Sequence, residues 1–196
     1  MKNKTKGLIA GAAGIALLTG GSTFALWTAS DSVAGGTITN GQLDVAALGD
    51  ISWEDVSADR GDGPHDITLT SWQMVPGDTI EGTQDIDVAL DGDNLVAELT
   101  LLNTGTEELA EGVSVQYDVV QGTTVLATAA LGATAQLELQ SADNPDAGRT
   151  EVGGSLNGTA DLTVVVRVTF AANGTTSTLD TSVLNGLSIE LDQIRA

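Results

Sequence analysis

The residues that most often carry catalysis are scarce in this chain. Its 196 residues include one histidine, His65, and no cysteine. Serine–histidine hydrolysis, thiolate nucleophiles and zinc sites made of His or Cys therefore lack their residues. His65 lies in the polar stretch DGPHDI, which is typical of a solvated loop. We therefore predict that the protein is not an enzyme, and the sequence indicates no catalytic residue and no cofactor.

Carboxylates are the remaining groups that could hold a metal ion, and they favour hard cations such as Ca²⁺. Three acidic groups occur in turn-like stretches: Asp59/Asp62/Asp66, Asp91/Asp93/Glu98 and Asp143/Asp146. None matches a D-x-D-x-D-G calcium loop, since Leu95 occupies the third ligand position in DGDNLVAE. The pattern favours solvated turn acids and assigns no metal ligand, while a Ca²⁺ site stays open as the alternative.

Two further short patterns have a functional interpretation. The tripeptide Arg60–Asp62 (RGD) resembles an integrin-type adhesion sequence, although three letters recur often by chance in an Asp/Gly-rich loop. A hydrolase with paired carboxylates would need aromatic side chains that stack on a sugar, and Trp53, Trp72 and Tyr117 are the candidates. Neither pattern defines an active site.

The charge of the chain limits its partners. The formal net charge is −20, and all three lysines precede residue 7. A chain this acidic repels nucleic acid and anionic membrane surfaces, so we predict no nucleic-acid partner.

The N-terminus has the pattern of an export signal. Lys2, Lys4 and Lys6 precede the apolar stretch GLIAGAAGIALLTGG, which is shorter than a membrane span. Thr23 and Ala25 place small residues at positions −3 and −1 of a cut before Leu26. We therefore predict a helical signal peptide over 1–25 and a secreted protein. The alternative is an uncleaved anchor, which would be the only part in contact with the membrane.

Apolar residues recur at every second position in most of the remaining chain. DLTVVVRVTF (161–170), VSVQYDVV (113–120), QDIDVAL (84–90) and the terminal LSIELDQI (187–194) all alternate in this way. Such alternation indicates half-buried strands of antiparallel sheets. Asn-Gly, Pro-Gly and Asp-Gly pairs, beginning with TNGQ (39–42), predict tight turns.

Together, the strands and turns predict the fold class and the domains. We expect an all-β chain, an antiparallel, jelly-roll-like β-sandwich formed by a single domain over 41–196. An N-terminal segment over 26–40 precedes this domain. Two stretches, 53–66 and 141–158, are rich in polar residues and are expected to be mobile loops.

Two sequence motifs resemble those of a known family. ALWTASDSVAGGTITNGQLDV (25–45) is similar to the start of the TasA/camelysin-type secreted proteins, in which an aromatic residue follows the signal and leads to a G-x-L-D-V strand. MVPGDTI (74–80) is similar to the L-x-P-G-D turn of the same family. The two motifs lie in the first half of the chain.

The resemblance implies an origin and a function. Members of that family carry an alternate signal peptide that a SipW-like signal peptidase cleaves, and here it implies a Gram-positive, actinobacterial-like cell surface. It further implies a jelly-roll subunit that polymerises with copies of itself into fibres of the biofilm matrix. In such fibres the N-terminal segment of one subunit adds a strand to its neighbour. The donor residues would then be Leu26, Trp27, Val33 and Ile38. The alternative is a secreted monomeric adhesin or ligand-binding β-sandwich, with Ca²⁺ as one candidate ligand.

Overall fold

The computed structural model describes residues 40–104, 109–144, 148–173 and 186–194. These residues belong to one compact unit that begins at Thr39. They form strands, turns and irregular segments, and none of them is helical. No helix long and apolar enough to cross a membrane occurs in this part of the chain.

Ten strands follow one another in the described residues and form two sheets. In spatial order, the first sheet contains β2 (His65–Ile67), β1 (Gln42–Asp55), β3 (Thr79–Asp91), β9 (Leu162–Phe170), β5 (Val113–Gln121) and β6 (Thr124–Ala130). The second contains β10 (Leu187–Ile194), β4 (Val96–Asn103), β7 (Leu139–Ser141) and β8 (Thr150–Val152). All neighbouring strands are antiparallel except β7 and β8, which pair in parallel over three residues.

The two sheets pack through apolar side chains that alternate along each strand. On β9, Val164, Val166 and Val168 are buried, and the residues between them are only partly buried. They meet residues of the second sheet, including Leu99 and Leu139, in a single core cluster. The predicted all-β, antiparallel, sandwich-like fold is confirmed at this level. The predicted signal helix over 1–25 lies outside the described residues.

Tyr117 connects the sheets through its hydroxyl group. The side chain is fully buried on β5, and the hydroxyl donates to the carbonyl of Ala133 at 2.6 Å. The carbonyl of Leu99 on β4 lies 3.2 Å from the same hydroxyl. Burial raises the pKa of Tyr117 above its ordinary value. The hydroxyl thus has acceptors in a core that would otherwise disfavour it.

The outer face of the first sheet is polar and carries an ion-pair network. Arg167 on β9 donates from Nε to Oε1 of Glu81 on β3 at 2.7 Å. Its Nη1 lies 3.5 Å from Oδ2 of Asp118 on β5. Hydrogen bonding to Glu81 is the main reason why the pKa of Arg167 is raised. Arg167 therefore lies on the face of β9 opposite to the buried Val164, Val166 and Val168.

Some local predictions were wrong in part. The stretch 53–66 was expected to be a mobile loop, and residues 56–64 do lie outside strands, but Trp53–Asp55 completes β1 and pairs with β2. The stretch 141–158 likewise contains β8, which is stabilised by pairing with β7. Strands of three residues are too short for alternation to mark them, because their neighbours in the sheet, and not their own pattern, hold them in place.

Candidate functional site: an open seam between the sheets

One edge of β1 has no strand partner over half its length. Residues Gln42 to Leu48 pair with β3 on one side. On the other side β2 reaches only Trp53–Asp55. A bulge between Leu48 and Ser52 separates the two halves. Among the described residues, the N–H and C=O groups on the outer edge of Gln42–Leu48 therefore have no partner strand.

Strand β10 has a free edge along its whole length. All eight of its residues pair with β4, from Leu187 opposite Asn103 to Ile194 opposite Val96. In the part of the chain that the structure describes, no strand pairs with the other side of β10. An unpaired edge of this kind can accept a further strand from another polypeptide.

The two free edges approach each other and expose part of the core. Strands β1 and β10 belong to different sheets, yet some of their Cα atoms lie within 8 Å of each other. Apolar side chains of both strands pack against the core but remain only partly buried: Leu43 and Val45 on β1, and Leu187, Ile189 and Leu191 on β10. We call this feature the seam. It is a line along which the sandwich is not closed.

Elsewhere the sheets are joined by backbone contacts. The N–H of Leu90 on β3 donates to the carbonyl of Gly153, just after β8, at 2.8 Å. The segment after β6 crosses to β4, where the N–H of Gly132 donates to the carbonyl of Leu101 at 2.8 Å. These contacts cover the core away from the seam. In the described fold the outer edge of β6 is also unpaired, but the seam differs from it because apolar side chains of two strands from different sheets border it.

The chain enters β1 at one end of the seam. Gly41 lies so close to the β3–β4 turn that a Cβ there would come within 2.3 Å of the carbonyl oxygen of Asp91. Its φ is outside the left-handed region. Asn40 and Gly41 are not in a turn, and Gly41 lacks the positive φ of a type I′ or type II turn, so the tight turn predicted from TNGQ was wrong.

A cavity of about 760 Å³ opens at the same end. The start of β1, the β3–β4 turn and the end of β10 line it, with Leu43, Asp91, Asn94 and Gln193 among its residues. Arg149 also lines the cavity and is ion-paired with Glu138. The wall is therefore largely polar, in contrast to the apolar floor of the seam.

The RGD tripeptide is engaged in its own contacts. Arg60 donates from Nε and Nη2 to the two carboxylate oxygens of Asp62, at 3.0 and 2.7 Å. This hydrogen bonding lowers the pKa of Asp62 and raises that of Arg60. Nη1 of Arg60 also lies 3.6 Å from Oδ2 of Asp55. An adhesion partner would have to break the Arg60–Asp62 pair before it could bind both groups.

Three residue types that could support hydrolysis occur near one another but do not form a triad. The hydroxyl of Ser57 donates to Asp55, which is 3% exposed, and His65 faces Asp55 across the β1–β2 pair. Nδ1 of His65 is buried and has no hydrogen-bond partner. The serine therefore contacts the acid directly and not the histidine. The candidate sugar-stacking residues Trp53 and Tyr117 lie in the core, and Trp72 packs against it.

The acidic groups do not converge on a metal site in the described chain. Within it, no three residues of the types His, Cys, Asp and Glu lie close enough to hold a metal ion. Asp146, in the third acidic group, lies outside the described residues.

The residues predicted to act in export and assembly cannot be placed. Thr23 and Ala25, predicted for the signal peptidase, lie outside the described residues, as do the donor residues Leu26, Trp27, Val33 and Ile38. The seam itself was missed in the sequence. Its residues show ordinary alternation, and only the strand order reveals that in the described fold one edge of β10 and part of one edge of β1 have no partner strand.

No protein-family model, curated protein or solved structure matches this chain. The case for a function rests on the residues and the fold.

Proposed function

We propose that the protein is an exported structural subunit that polymerises into extracellular fibres by strand addition. The seam carries the proposal. A strand added along the open edge of β1 or of β10 would pair with N–H and C=O groups that have no partner strand in the described residues. It would also cover the half-exposed Leu43, Val45, Leu187, Ile189 and Leu191. Main-chain hydrogen bonds would provide affinity, and alternate side chains would set the register.

The donor is proposed to be residues 26–40 of a neighbouring copy. At about 3.3 Å per residue, fifteen residues span roughly 50 Å, whereas the eight residues of β10 span roughly 26 Å. The segment is therefore long enough to fill the seam and still connect two subunits. It has no lysine or arginine and a single acid, Asp31, so it adds little charge to an acidic surface.

The rest of the proposal follows from the sequence motifs. Cleavage after Ala25 by a SipW-like peptidase would expose Leu26 and Trp27 only after export. The family would be the TasA/camelysin type, the sandwich a jelly-roll variant, and the fibres part of a biofilm matrix on a Gram-positive surface. Before cleavage, membrane contact would occur only through the signal segment.

The experiment uses purified residues 26–196, examined by electron microscopy and analytical ultracentrifugation. Filaments are expected from this chain, and monomers from a chain that lacks 26–36. Ile189→Lys should abolish assembly because it places a charge in the seam. Ser188→Lys carries the same charge on the neighbouring residue, which points out of the seam, and should still assemble. Monomers at all concentrations from residues 26–196 would contradict the proposal.

The polar cavity supports a second candidate, a secreted monomer that binds a ligand or adheres to a partner. In that case residues 26–36 would be dispensable, and Asn94→Ala or Gln193→Ala would reduce ligand binding without changing the sedimentation of the protein. Titration with Ca²⁺, monitored by calorimetry, tests whether the ligand of such a monomer is Ca²⁺.

A further inference from the structure

A buried carboxylate lies beneath the exposed loop that connects β8 to β9. Asp87 on β3 is 1% exposed. Its Oδ2 accepts hydrogen bonds from the N–H groups of Asn157 and Gly158, at 2.7 and 2.5 Å. Its Oδ1 is buried and has no hydrogen-bond partner in the described chain. A carboxylate is thus held directly at the amide nitrogen that follows an asparagine.

The asparagine side chain is held by a second contact. Oδ1 of Asn157 accepts a hydrogen bond from the N–H of Thr159 at 2.8 Å. Asn157 and its neighbours are exposed to water. Gly158 has φ of +78°, and no atom would lie within 4 Å of a Cβ at this position. Gly158 has no side chain of its own that would hinder attack of its nitrogen on the asparagine.

We propose that Asn157 is a site of spontaneous deamidation, with Asp87 as the general base. The Asp87 carboxylate takes the proton of the Gly158 amide as that nitrogen forms a bond to Cγ of Asn157. The electron pair of the Cγ=O bond moves to Oδ1, where the N–H of Thr159 stabilises the negative charge. Collapse of this intermediate breaks the Cγ–N bond, and the proton held by Asp87 passes to the departing nitrogen, which leaves as ammonia.

The product is a five-membered succinimide, and water then opens it. Addition of water at one carbonyl gives aspartate, and addition at the other gives isoaspartate. Water protonates the released ammonia and leaves a hydroxide ion. That hydroxide neutralises the carboxylic acid formed when the succinimide opens. No oxidant or cofactor is required, and the net change is gain of water and loss of ammonia.

The loop that would be modified restrains β3 beyond the end of its pairing with β9. Asp161 accepts from the N–H of Val88 at 2.9 Å, and Gly153 accepts from the N–H of Leu90 at 2.8 Å. Deamidation places a new negative charge beside Asp87, and isoaspartate also lengthens the backbone. Both changes weaken the attachment of the loop, so the modification would act as an ageing mark on the exported protein.

The chain provides its own controls, because Asn-Gly also occurs at 40–41, 173–174 and 185–186. Residues 26–196 are incubated at pH 7.4 and 37 °C, digested and examined by mass spectrometry for a mass gain of about 1 Da and for isoaspartate. General bases typically accelerate a reaction 100-fold or more, so Asn157 should react at least about tenfold faster in the folded protein than in the same protein in urea.

Two variants test the role of the carboxylate. Asp87→Asn should remove the acceleration at Asn157 and leave the other three sites unchanged. Asp85 lies two residues away on the same strand and accepts a hydrogen bond from Thr163. Asp85→Asn removes the same charge as Asp87→Asn, but the acceleration at Asn157 should remain. An Asn157 that reacts more slowly folded than unfolded would overturn the proposal even if Asp87→Asn failed to fold. An unchanged rate in a folded Asp87→Asn would do so as well.

Discussion

The ring of Trp53 lies directly against Gly82 on the neighbouring strand. A Cβ at Gly82 would come within 2.8 Å of Cη2 of the Trp53 ring and 2.8 Å of Cδ1 of Ile51. Trp53 and Gly82 are opposite each other in the β1–β3 register. The missing side chain on β3 is therefore the space that lets the largest side chain of β1 enter the core.

Gly82→Ala should destabilise the fold by about 1–3 kcal/mol, because the added methyl group overpacks the site. Gly61→Ala is the control, since no atom would lie within 4 Å of its Cβ and its φ is not left-handed. Urea unfolding, monitored by tryptophan fluorescence, measures the stability of both variants. Equal stabilities of the two variants would contradict the close contact.

Tyr117→Phe should cost about 1–2 kcal/mol, since it removes the hydrogen bond to Ala133 but little volume. The variant should also change how the free energy of unfolding depends on pH in alkaline solution. Burial raises the pKa of Tyr117, so in the unfolded chain the phenol ionises first, near pH 10. The stability due to the neutral phenol is therefore complete below about pH 10 and is lost as the pH rises through the folded pKa.

The measurement is simple because residues 26–196 contain one tyrosine and no lysine. Denaturant unfolding between pH 8 and pH 12 should show a decline in the parent chain that is much smaller in Tyr117→Phe. Parallel declines in both would assign the alkaline transition to other groups.

Asp55 should contribute to the loss of stability at acidic pH. Burial raises its pKa, but hydrogen bonds from Ser57 and the charge of Arg60 outweigh burial and leave the pKa below the ordinary value. Its contribution is then present above about pH 4 and is lost as the pH falls through the folded pKa. Ser57→Ala removes the hydroxyl hydrogen bond to Asp55 but keeps the one from the backbone N–H, and it should shift the acid midpoint upwards. A midpoint that stays the same would show that Ser57 does not stabilise the charged form.

The donor residues should not be equivalent. In an extended strand, alternate side chains share a face, so Trp27 and Val33 point to one side and Leu26 and Ile38 to the other. Because one face of a donor lies against the core, alanine at Trp27 or Val33 should raise the critical concentration for assembly more than alanine at Leu26 or Ile38. Tryptophan in a buried pocket usually contributes most, so Trp27→Ala should have the largest effect.

Sedimentation of assembled material at a series of concentrations measures this effect. Thr28→Ala serves as the control for a change of side chain within the same segment. Similar values for all four apolar variants would indicate a donor with a bulge or with both faces covered.

The alternating pattern predicted the long strands well. The terminal strand was expected over 187–194 and occupies Leu187–Ile194, because one half-buried face imposes a period of two over many residues. The prediction of a tight turn at Asn40–Gly41 was wrong because a residue distant in sequence, Asp91, explains the glycine at position 41. The carbonyl of Asp91 lies where the side chain of any other residue would be, so glycine is required there for space and not for a turn.

The sequence by itself determined the all-β class, the net negative charge, and the lack of cysteine and of any histidine but His65, and it predicts an export signal. These properties depend on composition and local periodicity, which can be read from the sequence without knowing which distant residues are in contact. Only the tertiary structure decided that β1 and β10 end up as neighbouring free edges, and that Asp87 lies beneath Asn157. Both relationships join residues about 70 or more positions apart in the chain, and sheet pairing and packing, which no local pattern encodes, bring them together.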